Sequence, residues 1–157
     1  VNFSDEKVMK INPETERILR KLLTEQSLGA LATSGPESPY VNLVTFAVSE
    51  ELRRIFFATP RATRKFENLS ANHRAAILVD SRSNTLSDFA RAAAVTAIGP
   101  ADEITGAKYE EGRALYLSRH PQLAAFVDSP GSALVCLTVS VYILVRDFQR
   151  VETILLD

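Results

Sequence analysis

The residues whose types and spacing bear most directly on chemistry lie between positions 53 and 68, Arg-Arg-Ile-Phe-Phe-Ala-Thr-Pro-Arg-Ala-Thr-Arg-Lys-Phe-Glu-Asn. Five cations (Arg53, Arg54, Arg61, Arg64 and Lys65) precede the first acid, Glu67, in a chain that is otherwise balanced at 18 basic and 19 acidic residues. The last three fall where a strand-like run, 54–59, gives way to a helical one, 63–72. Such a junction leaves the first N–H groups of the helix without intrahelical acceptors and concentrates the positive end of its dipole. Thr59 and Thr63 add hydroxyl donors, and Arg64 and Lys65 add full charges, so the segment holds the parts of a phosphate cradle. The same residues also fit a plainer arrangement, in which Thr63 caps the helix and the cations face water.

Other chemistry is harder to place. His73 ends the same short helix and His120 precedes Pro121 at a turn, and structural roles are expected for both. Two histidines and one cysteine, scattered along the chain, have no zinc-site spacing, and no serine stands out as a nucleophile. Catalytic residues are therefore not identifiable, and no metal is expected.

The elements that must position the basic segment follow from pattern. Asn12-Pro13-Glu14 opens a helix, with Ile18, Leu19, Leu22 and Leu23 on one face. Strands are expected over 28–33, 40–48, 54–59, 75–80, 93–102 and 132–145, the last being rich in valine. The polar stretch 81–90 reads as a loop, 105–118 as a helix, and a second short helix begins at Pro121. Six strands with helices inserted between them predict an α+β fold, a six-stranded antiparallel split β-barrel with short flanking helices. A doubly wound nucleotide fold is disfavoured, because no glycine-rich loop follows the first strand and the chain has only six glycines.

Length and composition agree with one domain over residues 1–157, with 1–12 as an N-terminal arm. The net charge of −1 gives no electrostatic case for nucleic acid or an anionic membrane, so any anion site must be local. No run approaches the ~20 apolar residues that span a bilayer, and charges interrupt the first ten residues too early for a signal peptide. A single cysteine, Cys136, lies in an apolar run and is expected to be buried and inert; a cytoplasmic location is the expectation.

Phe57-Ala58-Thr59, Thr63-Arg64-Lys65, Asn68-Leu69 and the run from Asn72 to Leu78 together resemble the FMN-binding split-barrel family typified by pyridoxamine 5′-phosphate oxidase. The likeness covers about residues 17 to 153 and implies that Thr59, Thr63, Arg64 and Lys65 hold the FMN phosphate. Residues 40–46, Tyr-Val-Asn-Leu-Val-Thr-Phe, resemble the strand whose backbone edge lies along the isoalloxazine ring, which makes Asn42, Leu43 and Thr45 the expected flavin contacts. Ser81-Arg82-Ser83-Asn84 with Asp88 resembles a loop of many members, so Arg82 and Asn84 are added to the cofactor site. By the same resemblance the protein is a homodimer with FMN at the subunit interface, where the loop from Arg82 to Asp88 and Phe148 come from the partner.

The pattern also departs from that of the vitamin oxidases. There is no tryptophan, with Phe148 standing near its place, and Ala94 replaces a glutamine. The basic C-terminal segment that holds the substrate phosphate has no counterpart before Asp157, so that activity is not assigned. The expectation is an FMN-dependent oxidoreductase acting on a small molecule. A flavin or deazaflavin carrier without turnover is one alternative. A heme-binding or heme-utilisation split barrel is another, since residues 116–121 around His120 resemble such proteins.

Overall fold

The computed structural model describes residues 11–156. The first helix, α1 (Pro13–Glu25), starts where the sequence places it: the Asn12 side chain accepts the Glu14 N–H at 2.8 Å, and Pro13 occupies the first turn. Its buried stripe of Leu19, Leu22 and Leu23 packs into the main core, which is what an apolar face at helical spacing requires. Residues 1–10 of the expected arm lie outside the described part, while Ile11 packs against the core.

Eight strands follow: β1 (Leu28–Ser34), β2 (Pro39–Val48), β3 (Arg54–Pro60), β4 (Arg74–Asp80), β5 (Ala94–Glu103), β6 (Ser132–Thr138), β7 (Val141–Arg146) and β8 (Arg150–Leu155). All pairings are antiparallel, and six strands close on themselves in the order β1-β2-β3-β6-β5-β4, with β4 pairing back to β1. The β7–β8 hairpin extends from β5 as two further strands. The split barrel expected from the sequence is thus present. Inside it, alternate residues such as Leu31, Phe46, Ile55, Phe57, Ile77 and Val95 form the core.

Two differences from the sequence reading have physical causes. The single strand expected over 132–145 is two strands, because the chain bends at Val139 and Ser140 to leave β3 and join the outer edge of β5. Gly99 permits the bend: a Cβ there would lie 1.9 Å from the Thr138 carbonyl oxygen. The last strand, β8, went unread because its outward residues are Val151, Thr153 and Leu155, so its apolar residues do not alternate cleanly with polar ones.

The remaining helices are α2 (Arg64–Ala71), α3 (Asp88–Arg91), α4 (Gly106–Arg119) and α5 (Ala124–Val127), with a 3-10 turn at Pro121–Leu123. Short α3 lies inside the stretch read as loop. Helices α4 and α5 cover the outside of β3 and β6 through a second core of Phe56, Ala58, Tyr116, Val127, Leu134 and Cys136. Cys136 is buried, as expected, and burial pushes its thiol above the usual range.

Candidate functional site

The barrel wall is open along one line. Residues 39–45 of β2 pair with β1, but β2 meets β3 only through Phe46↔Phe57, Ala47↔Phe56 and Val48↔Ile55. Residues 58–60 of β3 pair with β6 alone. Between these stretches runs a split, bordered on one side by the backbone edge of β2. Helix α2 starts at the open end of it, three residues after β3 stops.

That helix start is left without a side-chain cap. Thr63 is the N-cap residue, but its hydroxyl turns to the Pro60 carbonyl, 2.8 Å away, and to the buried Thr59 hydroxyl at 3.0 Å. The plainer expectation, that Thr63 caps the helix, therefore does not hold for its side chain. The first-turn N–H groups of α2 remain available to an external acceptor. Asn68 ties the helix to the barrel by donating to the Thr33 hydroxyl at 3.0 Å in a buried bond.

Arg64 reaches across the mouth of the split. Its guanidinium donates to Ser38 at 3.3 Å and lies 5.0 Å from the Tyr40 ring centre. It also lines a cavity of about 550 Å³ between the β1–β2 turn and α2. Lys65 is partly buried, and desolvation holds its ammonium below the ordinary lysine range. Among the described residues no carboxylate pairs with either Arg64 or Lys65. Arg61, counted with them from the sequence, is used otherwise: it pairs with Glu103 and donates to the Pro130 carbonyl at 2.8 Å, bracing β3 against the start of β6.

The three expected ring contacts share the β2 edge, with side chains on different faces. Asn42 faces inward, and its Oδ1 is buried with no hydrogen-bond partner, an acceptor awaiting a donor. Leu43 points outward and is 64% exposed. Thr45 is half-buried on the outer face, the side on which its neighbour Ala47 joins the second core with Tyr116. The structure does not bring Arg82 and Asn84 to the same place. The register puts Thr33 beside Tyr40 and Ala75 at the α2 end of the barrel, so the β4–β5 loop after Asp80 sits at the other end. In that loop Arg82 pairs with Asp80, and the Asp88 carboxylate accepts the N–H groups of Ser83, Asn84 and Thr85, which hold it below its usual range. Asn84 adopts a left-handed φ of 61°.

Neither histidine is free. His120 is 3% exposed, and its Nε2 lies 2.6 Å from the Phe46 carbonyl oxygen, so it donates there. His73 is exposed and pairs with Asp102 at 2.9 Å. Among the described residues no group of three or more His, Cys, Asp or Glu is arranged to hold a metal ion.

Sequence reasoning missed Ser38, Tyr40, Asn68 and Tyr116 as parts of this region. Alternation along β2 places Tyr40 on the face of Asn42, which was legible. The placement of Tyr116 was not, since only the packing of α4 on the barrel brings it into one cluster with Ala47, Phe56 and Ala58.

The profile of the pyridoxamine 5′-phosphate oxidase family matches residues 15–145. The chain belongs to the pyridoxamine 5′-phosphate oxidase family. Solved structures agree on the fold of this family member. A heme-binding protein from Mycobacterium smegmatis superposes with a TM-score of 0.81 at 21% identity, over 92% of this chain and 59% of the other, so the chain spans about three-fifths of that protein. A protein from Clostridium acetobutylicum, related to general stress protein 26 of B. subtilis and described as of the pyridoxinephosphate oxidase family, gives 0.72 at 17% identity, over 94% and 98%. A FAD-binding protein from Mesorhizobium loti gives 0.65 at 18% identity, over 82% and 90%. None of the curated proteins compared matches the sequence.

Proposed function

We propose that this family member is a homodimeric flavoprotein that holds FMN by its phosphate and serves as an oxidoreductase for a small molecule. One observation carries the reading: an uncapped helix N-terminus, with two cations that no described carboxylate neutralises, stands at the open end of a split whose β2 edge has no strand partner. Thr59, Thr63, Arg64 and Lys65 would receive the phosphate. The β2 edge from Asn42 to Thr45 would run beside the ring, with the unpartnered Asn42 Oδ1 accepting a ring N–H. Bound FMN supplies two-electron redox chemistry without requiring a protein acid or base, which fits a site with no evident catalytic side chain. The chain's own part is to bind the phosphate, orient the ring and exclude water.

A second subunit fits the same reading. Outward residues in the middle of β2, β1, β4, β5 and β7, among them Val41, Leu43, Ala30, Leu78, Ile98 and Ile143, make an uncharged patch beside the split, with Arg74, Asp80 and Asp102 at its ends. A partner seated there would cover it and bring its own loop of Arg82 and Asn84, with Phe148, toward the cofactor.

The test is direct. Heat-released small molecule, identified by mass, should be FMN, and flavin fluorescence quenching should report its rebinding. Losing two charge-assisted contacts of about 1.5–3 kcal/mol each, R64A/K65A should bind FMN at least roughly a hundredfold more weakly. Unchanged affinity would remove the phosphate assignment. Exchange of electrons with NADH, NADPH or O₂ would distinguish an enzyme from a carrier.

Heme is the second reading, favoured by the heme-binding neighbour. A Soret band in the purified protein would support it. The histidine that the sequence offers for iron, His120, already donates to Phe46, so an iron ligand would have to come from elsewhere.

A further inference from the structure

At the end of the barrel away from α2, a cavity of about 340 Å³ lies between α1, the two ends of the β4–β5 loop and the turn after β7. Its apolar floor is Ile18, Leu22 and Ala93, which pack into or against the main core. Four cations stand around it: Arg17 and Lys21 from α1, Arg91 from the end of α3 and Arg146 from the end of β7. Arg146 is buried and neutralised by Glu14 at 3.1 Å and Glu152 at 3.0 Å, with Asp147 at 3.7 Å. The other three are exposed, and among the described residues no carboxylate pairs with any of them. Glu25 lines the same cavity one turn beyond Lys21 and does not pair with it. Arg17 and Lys21 are themselves one helical turn apart, and like charges at that spacing destabilise a helix when nothing lies between them. The opposite wall is fixed. The Ser81 N–H donates to the Ala93 carbonyl at 3.0 Å and the Ala93 N–H to the Ser81 hydroxyl at 3.0 Å, which clamps the base of the loop and keeps Arg91 at the rim.

We propose that this cavity is a second anion site, separate from the β3–α2 junction, which takes a small organic anion: a carboxylate or phosphate on a compact apolar body. Arg17 and Lys21 donate to the anionic group from one side and Arg91 from the other, while the body rests on Ile18, Leu22 and Ala93. Two arguments select that class. An anion between Arg17 and Lys21 turns a repulsive pair into a shared, charge-assisted contact. The volume and the apolar floor suit a ligand larger than inorganic phosphate. The site stands apart from the flavin reading, since it lies at the other end of the barrel and uses none of the same residues.

The experiment uses the whole protein, with phenyl phosphate and benzoate as probes at constant ionic strength and benzyl alcohol as the uncharged control. The amide resonances of Arg17, Lys21, Arg91 and Ala93 should shift saturably with at least one of the two anions and not with the alcohol; the tighter probe identifies the head group. R17Q/K21Q should bind that probe about tenfold more weakly or worse. Without ligand its melting temperature should equal or exceed that of the wild type, because the like-charge pair is gone and glutamine is as good a helix former. R91Q, on a different element, should lose affinity by a similar factor, and it decides the matter if R17Q/K21Q does not fold. In R64A/K65A the shifts at the cavity should persist unchanged. Shifts that do not saturate, or that benzyl alcohol reproduces, overturn the proposal, as does wild-type affinity in R17Q/K21Q or R91Q. A lower melting temperature in R17Q/K21Q would show the two charges already paired within the protein, and loss of the shifts in R64A/K65A would seat the probe at the β3–α2 junction; either result also overturns it.

Discussion

At the scale of single residues, Lys65 carries the clearest pH signature. Burial lowers its pKa in the free protein, and no described carboxylate raises it again. The charged form is the one that binds a phosphate. FMN affinity should therefore hold at neutral pH and fall as pH rises through the lowered Lys65 value, while K65R, which stays charged, should move that fall to higher pH. Titrations between pH 7 and 10 would check it; parallel curves for the two proteins would show that Lys65 does not face the phosphate. Another side chain worth isolating is Asn42. Its unpartnered Oδ1 already lacks a donor, so N42A should leave stability nearly unchanged yet weaken flavin binding, as compared by thermal melts and fluorescence.

Elements hold the site through a few contacts of high consequence. Helix α2 is aimed by the buried Asn68–Thr33 bond, and N68L should cost about 1–3 kcal/mol in denaturant unfolding by leaving Thr33 without its partner. At the bend between β6 and β7, G99A has no room against the Thr138 carbonyl and should destabilise by about 3 kcal/mol through strain. Helix α1 is held by a different device. Arg146 is buried and pairs with Glu14 and Glu152, and Glu152 also accepts the Thr15 hydroxyl at 2.6 Å. The Thr15 bond first, and Arg146 next, hold Glu152 below the usual carboxylate range. A carboxylate depressed in the folded state stabilises above its unfolded pKa, and this stability is lost as pH falls through the folded value. Acid unfolding below about pH 4.5 should thus be shallower in E152Q than in the wild type, which a series of melts at stepped pH would show.

For the molecule as a whole, the uncharged outer patch decides the expected assembly. Placing a charge in it by L43E should give a monomer by light scattering, and FMN binding should weaken with it if the partner completes the site. A dimer that survives L43E would put the interface on another face. The barrel encloses its own apolar core, so this substitution on the surface is expected to leave the fold intact.

The six strands were legible because alternating and β-branched runs bounded by turn residues describe pleated, half-buried surfaces directly, as in residues 40–48 and 54–59. The junction proposed to hold an anion was legible for a similar reason: Thr59, Thr63, Arg64 and Lys65 lie together where β3 hands over to α2, and local geometry follows local sequence. Arg61 shows the limit, since its diversion to Glu103 depends on a residue 42 positions away. The division of 132–145 into two strands, the β8 edge and the separation of Arg82 and Asn84 from the other site residues likewise follow from pairing between distant segments. The split itself belongs with these. Nothing within β2 says that its ladder ends at Phe46; beyond that pair β3 is held by β6 alone, and only pairing between distant segments decides it.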